Sequence, residues 1–312
     1  MYYFIWNPAA GKGDSGAVLP AIESFMDKRG LQYSFHRSEY PGHAAELAKA
    51  AAEDPKVTAV VAIGGDGTIL ETASGLVDAG IPLACIPTGN GNDFISNFTD
   101  LSGCKTADEK VIRCLNALAA GRRRMADMIM VNGGYAVNIG NIGLDADVAE
   151  YASRIKHAFG SMSYLISMVK SIFTYKPLAA SITIDGVKQS GLYTLIAVCN
   201  GKQYGGGFLI APQARVDDGK LTVCIVDRIP RLKILVLFPL ALSGRHTRLK
   251  YVKFVNCEQV EVAYEGAQKM CLDGNIYTWE GPVSFVSLPA ALEMIAEEDA
   301  LKKVDYKDAG RV

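Results

Sequence analysis

The stretch Val57-Thr-Ala-Val-Val-Ala-Ile63, then Gly64-Gly65-Asp66-Gly67-Thr68, then Ile69-Leu-Glu-Thr-Ala-Ser-Gly-Leu-Val77 reads as a buried strand, a glycine turn and the N-terminus of a helix. Three glycines in five residues remove the Cβ atoms that would hold a ligand off the backbone, and they permit φ > 0. The unpaired N–H groups and positive dipole end of the helix suit phosphate. Asp66 is out of character at such a place, because a carboxylate repels phosphate unless a cation lies between them. It therefore suggests a nucleotide carried with Mg. Thr68 and Glu71, three residues apart, also form the pattern of a capping box. Capping accounts for half of the motif, and the other half asks for a ligand.

Working outward, Tyr2 to Trp6 reads as a first strand. It runs into Asn7-Pro8-Ala9-Ala10-Gly11-Lys12-Gly13 and an amphipathic helix over Ala17 to Lys28 closed by Gly30. A strand at Gln32 to Phe35, a helix at His43 to Ala52 and a strand at Leu83 to Ile86 follow. The last feeds Pro87-Thr88-Gly89-Asn90-Gly91-Asn92-Asp93-Phe94. Alternating strands and helices predict a parallel sheet covered on both faces, with ligands outside the carboxyl ends of the strands. Three loops of small and hydrogen-bonding residues at those ends can line one crevice. The Walker A pattern G-x-x-x-x-G-K-[ST] is absent. Lys12, beside the first loop, reads equally as a phosphate contact or as a solvated lysine.

From Met125, just after Gly121-Arg122-Arg123-Arg124, the pattern changes to short strands at Ala136–Ile139, Ala180–Ile184, Tyr193–Asn200, Leu221–Val226, Val260–Ala263 and Val283–Leu288. Helical stretches interrupt them near Tyr151–Phe173 and Arg231–Leu242. This predicts an antiparallel β-sandwich or flattened barrel, hence an α/β domain over 1–125 and a β domain over 126–289. A helical acidic tail is expected over Ala290–Lys303. The chain has 312 residues, 49% of them apolar, enough for two cores. A net charge of -1 gives no general attraction to nucleic acid or anionic membrane. Seven scattered cysteines without a C-x-x-C pair read as reduced core residues of a cytoplasmic protein. His36, His43, His157 and His246 lack metal-ligand spacing and read as surface or loop residues. The start reads as a strand and not a signal peptide, and Ile234–Leu242 with Pro239 is too short to span a bilayer. Basic residues gather at Arg245, Arg248, Lys250 and Lys253.

In this order, Asn7-Pro-Ala-Ala-Gly11, Gly64-Gly-Asp-Gly-Thr68 with Glu71, and Pro87-Thr-Gly-Asn-Gly-Asn-Asp-Phe94 resemble the bacterial diacylglycerol kinase and lipid kinase family, which is related to the sphingosine kinases. Gly-Gly-Asp-Gly alone also occurs in NAD kinases and phosphofructokinases, and the third motif selects lipid kinase. The likeness continues through Asn138-Ile-Gly-Asn-Ile-Gly-Leu-Asp145, Asn200-Gly201 with Tyr204-Gly-Gly-Gly-Phe208, Asp217-Asp218-Gly219-Lys220 and Leu272-Asp273-Gly274-Asn275.

The resemblance implies an NAD kinase/diacylglycerol kinase-like α/β domain on which residues 290–312 pack back, followed by a β-sandwich. It implies ATP and Mg, with the γ-phosphate passing to a lipid hydroxyl, most simply that of diacylglycerol. Sphingoid-base kinase, other lipid kinase and a nucleotide-binding regulator with weakened catalysis remain the alternatives. The nucleotide set it implies is Asn7, Pro8, Ala9, Ala10, Gly11, Ser38, Gly64, Gly65, Asp66, Gly67, Thr68, Glu71, Thr88, Gly89, Asn90, Asn92 and Asp93. Asp66 and Asp273 are the implied catalytic residues, Asp273 as base. A structural Mg falls to the Asp218 side chain with the carbonyls of Arg215 and Lys220, although Asp-Asp-Gly also makes a plain hairpin turn. The family usually reads Asp-Gly-Glu where this chain has Asn275. The implied setting is a peripheral enzyme at the inner face of the membrane, meeting a lipid substrate at the bilayer surface, without nucleic acid. A homodimer stays open as its assembly.

Overall fold

The computed structural model describes residues 1–10, 15–89, 91–159, 163–242 and 244–297. They divide into two compact units, Met1–Ala126 with the segment that begins at Ala290, and Asp127–Pro289.

The first unit alternates β1 (Tyr2–Trp6), α1 (Leu19–Asp27), β2 (Tyr33–Arg37), α2 (His43–Glu53), β3 (Ala59–Gly64), α3 (Asp66–Ser74), β4 (Leu83–Pro87) and α4 (Ala107–Ala120). The four strands are parallel in the order β2-β1-β3-β4. All six residues of β3 are buried, which is why its sequence is continuously apolar and not alternating. Phe4, Val61, Ile63 and Ile86 pack with Ile22 and Phe25 of α1 and with Leu115 and Leu118 of α4. The alternate residues Ile5, Val60 and Ala62 are equally buried, and α2 and α3 touch the strands that carry them. A Cβ at Gly75 would lie 2.3 Å from the carbonyl oxygen of Ala45, so glycine lets α3 pack close on α2.

Helix α4 is absent from the sequence reading, yet it carries the capping box that the reading assigned elsewhere. Thr106 Oγ1 accepts from Glu109 N at 3.1 Å, and Glu109 Oε2 accepts from Thr106 N at 3.4 Å. The Thr68–Glu71 box does not form. Helix α3 starts three residues earlier than the expected Ile69, at Asp66, with Gly65 as an N-cap that makes no side-chain bond, so Thr68 is its third residue. The acidic tail is corrected as well: Ala290 to Ile295 continue a strand, with Ala291, Leu292, Met294 and Ile295 buried and Met294 beside Leu83 of β4. Residues 298–303 of the expected helix lie outside the described residues. Glu297 receives Arg113 Nε at 3.0 Å.

The second unit runs from β5 (Arg123–Val131, which starts in the first unit) through β6 (Gly134–Ala136), β7 (Ile139–Gly143), α5 (Leu144–Phe159), α6 (Ser163–Thr174), β8 (Leu178–Ile184), β9 (Val187–Cys199) and β10 (Leu221–Asp227). After α7 (Arg231–Leu242) come β11 (Val252–Cys257), β12 (Gln259–Tyr264), β13 (Ala267–Leu272), β14 (Asn275–Glu280) and β15 (Val283–Ile295). The single helix expected near Tyr151–Phe173 is the pair α5 and α6. Pairing is antiparallel throughout the second unit's registers. The first half of β9 pairs with β8 and the second half lies between β7 and β10, so one strand serves both sheets of the sandwich. Alternation along β9 then divides two cores. Ile196 and Val198 join Ile182, Val260 and Phe285 between the sheets, whereas Ala197 and Cys199 join Leu144, Met168, Ile172 and Ile234 under the helices. Among the described residues no helix is long and apolar enough to cross a membrane.

Thr106→Ala should lower the unfolding free energy by about 1 kcal/mol, while Glu71→Ala should leave it within about 0.5 kcal/mol. Denaturant titration of both variants checks the reassigned box; an equal loss would restore Thr68–Glu71.

Candidate active site

Four residues leave the carboxyl ends of the parallel strands: Asn7 after β1, Ser38 after β2, Gly65 after β3 and Thr88 after β4. Three of them stay tied to the neighbouring strand by one more ladder bond. Asn7 N donates to Ile63 O (3.2 Å), Ser38 N to Trp6 O (2.9 Å) and Thr88 N to Gly64 O (2.9 Å). In the order β2-β1-β3-β4 the chain moves outward from β1 to β2 and resumes on the other side at β3. The loops after β1 and β3 therefore flank the topological switch point, where open α/β sheets bind ligands. A hydrogen bond from Asn7 Nδ2 to Thr68 Oγ1 (3.1 Å) spans it, and Asn7 Oδ1 accepts from Ala9 N (2.9 Å).

The glycines are needed here for closeness and not for left-handed backbone: none of Gly64, Gly65 or Gly67 has positive φ. A Cβ on Gly64 would lie 2.4 Å from Thr68 Oγ1, one on Gly89 2.9 Å from the Cα of Gly65, and one on Gly91 2.4 Å from Asp66 Oδ2. Gly67 differs. Its Cβ would meet nothing within 4 Å, so among the described residues none outside the helix crowds this position in the first turn of α3, a turn whose N–H groups have no partner within the helix.

Asp66 is half-buried, and its Oδ2 accepts from Asn92 N at 3.3 Å. Asn92 has φ 58°, a left-handed turn that asparagine tolerates. Burial, helped by the nearby Asp93 carboxylate and opposed by backbone N–H bonds, raises the Asp66 pKa above the ordinary aspartate value. Three side-chain atoms of these loops are shut off from solvent without a hydrogen-bond partner: Asp66 Oδ1, Thr88 Oγ1 and Asn92 Oδ1. Buried polar atoms are normally satisfied, and each exception costs about 1–3 kcal/mol. Three on adjoining loops, with a disfavoured negative charge among them, fit a site completed by a cation and a polar ligand.

In the second unit, Asp273 and Gly274 form the two-residue turn between β13 and β14, with φ values of 46° and 85°. That is the primed hairpin turn favoured by Asp-Gly. The Asp273 carboxylate accepts three consecutive backbone N–H groups, from Val137 (2.7 Å), Asn138 (3.0 Å) and Ile139 (2.8 Å). The plain-turn and functional readings of this aspartate thus coexist in one geometry. Asn275, two residues on, is exposed at the start of β14. Asp218 is exposed, its Oδ1 accepting from Lys220 N at 3.0 Å across Gly219 (φ 72°). Among the described residues no three His, Cys, Asp or Glu side chains converge as a metal set, so a cation at Asp218 would depend on the carbonyls of Arg215 and Lys220.

Two family models divide the chain between them: the diacylglycerol kinase catalytic domain over residues 1–131 and the YegS C-terminal NAD kinase beta sandwich-like domain over residues 138–296. A diacylglycerol kinase of Mycobacterium tuberculosis (strain ATCC 25618 / H37Rv) is 30% identical over 298 residues, covering 93% of each chain. The chain belongs to the bacterial diacylglycerol kinase and lipid kinase family. A diacylglycerol kinase of Bacillus subtilis (strain 168) is 25% identical over 304 residues, 96% of this chain and 98% of its own. The same fold is found in a crystal structure of a diacylglycerol kinase from Bacillus anthracis str. Sterne (TM-score 0.68, 20% identity, 96% and 97% covered). It is found more distantly in an Archaeoglobus fulgidus NAD kinase in complex with ATP (TM-score 0.54, 14% identity, 97% and 96% covered). The protein is a lipid kinase.

Of the nucleotide residues implied at the outset, the structure gathers Asn7, Ser38, Gly64 to Thr68, Thr88, Gly89, Asn92 and Asp93 at one sheet edge, with Pro8, Ala9 and Ala10 on the first loop. Gly11, Lys12 and Asn90 lie outside the described residues. Glu71 is one turn into α3. The sequence reading missed Asp127, which is 2% exposed, accepts from Gly219 N at 2.7 Å and so anchors the turn bearing Asp218. Asn200 Nδ2 ties the same stretch through the carbonyls of Asp127 and Val137, each at 2.8 Å. The available signal was a lone carboxylate in the apolar run Met125-Ala-Asp127-Met-Ile129.

The lipid kinase also has a partly open apolar cavity of about 100 Å³ in its second unit, lined by Leu144, Met168, Tyr204, Phe208, Ile234 and His246 among others. His246 is buried, contrary to the surface reading, with Nε2 2.9 Å from Ile210 O and Nδ1 unpartnered. Burial lowers its pKa against the opposing effect of the Ile210 bond. Six of the seven cysteines are buried as expected, and burial pushes the Cys224 and Cys271 thiols up to about 12.

Asp66→Asn keeps the Asn92 bond and removes a charge whose pKa is raised, so it should raise the melting temperature of the ligand-free protein at pH 7 while cutting kinase turnover by at least about 10²-fold. A lower melting temperature would mean that the carboxylate supports the fold. For His246 the unfolded chain binds the proton more readily, so folding stability falls as pH drops below about 6.5. The stability of the wild type relative to His246→Leu should shrink between pH 7.5 and 5.5, measured by urea unfolding; a constant gap would show that His246 does not titrate differently on folding.

Proposed function

We propose that this lipid kinase transfers the γ-phosphate of ATP, carried with Mg, to the hydroxyl of diacylglycerol. The observation that carries the reading is the trio of unpartnered buried atoms, Asp66 Oδ1, Thr88 Oγ1 and Asn92 Oδ1, at the switch point. In this reading Asn7 to Ala10, Gly64 to Thr68 and Thr88 to Asp93 bind the nucleotide, with its phosphates over Gly67 at the N-terminus of α3. Asp66 holds the cation, which offsets phosphate charge when bound. Asp273 accepts the proton of the attacking hydroxyl, with its orientation fixed by the three N–H bonds from Val137 to Ile139. The cation assigned to Asp218 braces the turn after Val216. The apolar cavity favours an acceptor with a hydrocarbon tail. Such an acceptor resides in a bilayer, so the enzyme works at a membrane surface.

Phosphorylation by radiolabelled ATP of diacylglycerol, a sphingoid base and other lipids in mixed micelles tests the substrate. Diacylglycerol should be the best acceptor. Preference for the sphingoid base, or nucleotide binding with no lipid turned over, would replace this reading by one of its alternatives. Asp273→Asn should lower turnover by about 10²–10⁴-fold with ATP affinity retained. It should also cost about 1–3 kcal/mol of stability, since an amide nitrogen would face a backbone N–H. Asn275 tests the family departure: if a hydrogen-bonding oxygen is enough there, Asn275→Glu should change the rate only slightly. A rise would mean that charge is required, and a collapse that asparagine selects a different acceptor.

A further inference from the structure

Residues 228–257 carry seven Lys or Arg, three up to the first turn of α7 and four after it, and no Asp or Glu, in a chain whose net charge is -1. Helix α7 at the centre of this stretch is apolar on both sides. Ile234 is buried and, with Leu237, lines the cavity, whereas Leu232 and Val236, one turn apart, are 72% and 74% exposed. A helix apolar all round belongs in a protein core or in lipid, and at 12 residues α7 is too short to span a bilayer. The exposed side borders a groove of about 540 Å³ walled by Leu232, Val236, Leu249, Lys233, Lys250 and Tyr251. Lys233 Nζ donates to Tyr251 Oη at 3.0 Å, and the Lys233 and Lys250 Nζ atoms lie 5.5 and 5.4 Å from the Tyr251 ring centroid. An aromatic ring with a polar tip between two long cationic side chains suits a boundary that is apolar below and charged above.

Resting on the lipid-kinase assignment, we propose that α7 and residues 245–251 form the face that docks on an anionic lipid bilayer. Leu232 and Val236 enter the boundary between headgroups and acyl chains, and Lys233 and Lys250, flanked by Arg245 and Arg248, meet lipid phosphates. Lys253, which the sequence grouped with this patch, is instead paired with Asp227 at 2.8 Å. Charge selects the occupant. In a twofold contact between two copies the same acid-free stretch would face itself, and like charges would repel; anionic lipid neutralises them. On this face the same helix would press on the bilayer with one side and close the cavity with the other.

Sedimentation of the nucleotide-free 312-residue chain with phosphatidylcholine vesicles, with and without phosphatidylglycerol, tests the face. The wild type should bind the anionic vesicles and release as salt rises. Lys233→Ala with Lys250→Ala should weaken partition about fivefold per lysine removed. Leu232→Ser with Val236→Ser should weaken it even at low salt, and all variants should keep wild-type turnover on a water-soluble short-chain diacylglycerol. Partition unaffected by both variant pairs would overturn the proposal, as would a wild-type dimer that Leu232→Ser with Val236→Ser dissociates. Vesicle binding that follows this pattern without phosphorylation of any lipid would support the face and defeat the kinase substrate reading separately.

Discussion

The first turn of α3 returns so close to the end of β3 that Thr68 Oγ1 occupies the space a side chain would need at Gly64. This steric demand organises the loops at the carboxyl ends of the parallel strands. It places Thr68 under Asn7, which joins the loops after β1 and β3 across the switch point. It also turns Asp66 toward the loop after β4, where Gly91 must lack a Cβ for the same reason. The unpartnered atoms follow from such tight backbone. With main chain meeting main chain, Thr88 Oγ1 and Asn92 Oδ1 find no partner within the protein, which leaves them to a bound ligand or to water.

Both units use carboxylates to collect backbone N–H groups, with different outcomes. Asp127 and Asp273 fix loops by accepting backbone bonds at 2.7 to 3.0 Å. Asp66 receives a long bond of 3.3 Å, sits beside Asp93 and keeps one oxygen without a partner. A charge held this way costs stability, a cost that the cation proposed for Asp66 would offset.

How much of this was legible in the sequence follows from the range of each interaction. β1, β3 and β4 and their loops were readable, because buried parallel strands are continuous apolar runs and glycine turns are local. The segment after Ala290 misled: Glu293 and Glu297 gave it a polar, helix-like composition, yet its partners Arg123 and Arg113 lie some 170 and 184 residues away in the chain. Thr68 and Glu71 had the spacing of a capping box, but the register of α3 was decided by Asn7, 61 residues upstream. The three glycines were also tied to positive φ, which none of them adopts: Gly64 makes room for Thr68, and Gly65 lies against Gly89 on the loop after β4, 24 residues on. For the same reason His246 and Asp127 could not be recognised as buried from their neighbours alone.

The Asp273 turn sets a limit on interpreting any single substitution there. Asp-Gly meets the demand for positive φ at both turn positions, and the carboxylate orders three successive N–H groups at the start of β7. A residue can serve as a base only if it is held still, and here the bonds that hold it also hold the sandwich. If Asp273 is the base proposed above, loss of the charge acts on stability and on proton acceptance together. The two effects separate through the nucleotide, because its proposed contacts are made by the loops of the first unit and should persist when Asp273 is changed. Asn275 lies one step outside this bonded network, exposed on β14, so its chemistry can vary without disturbing the turn.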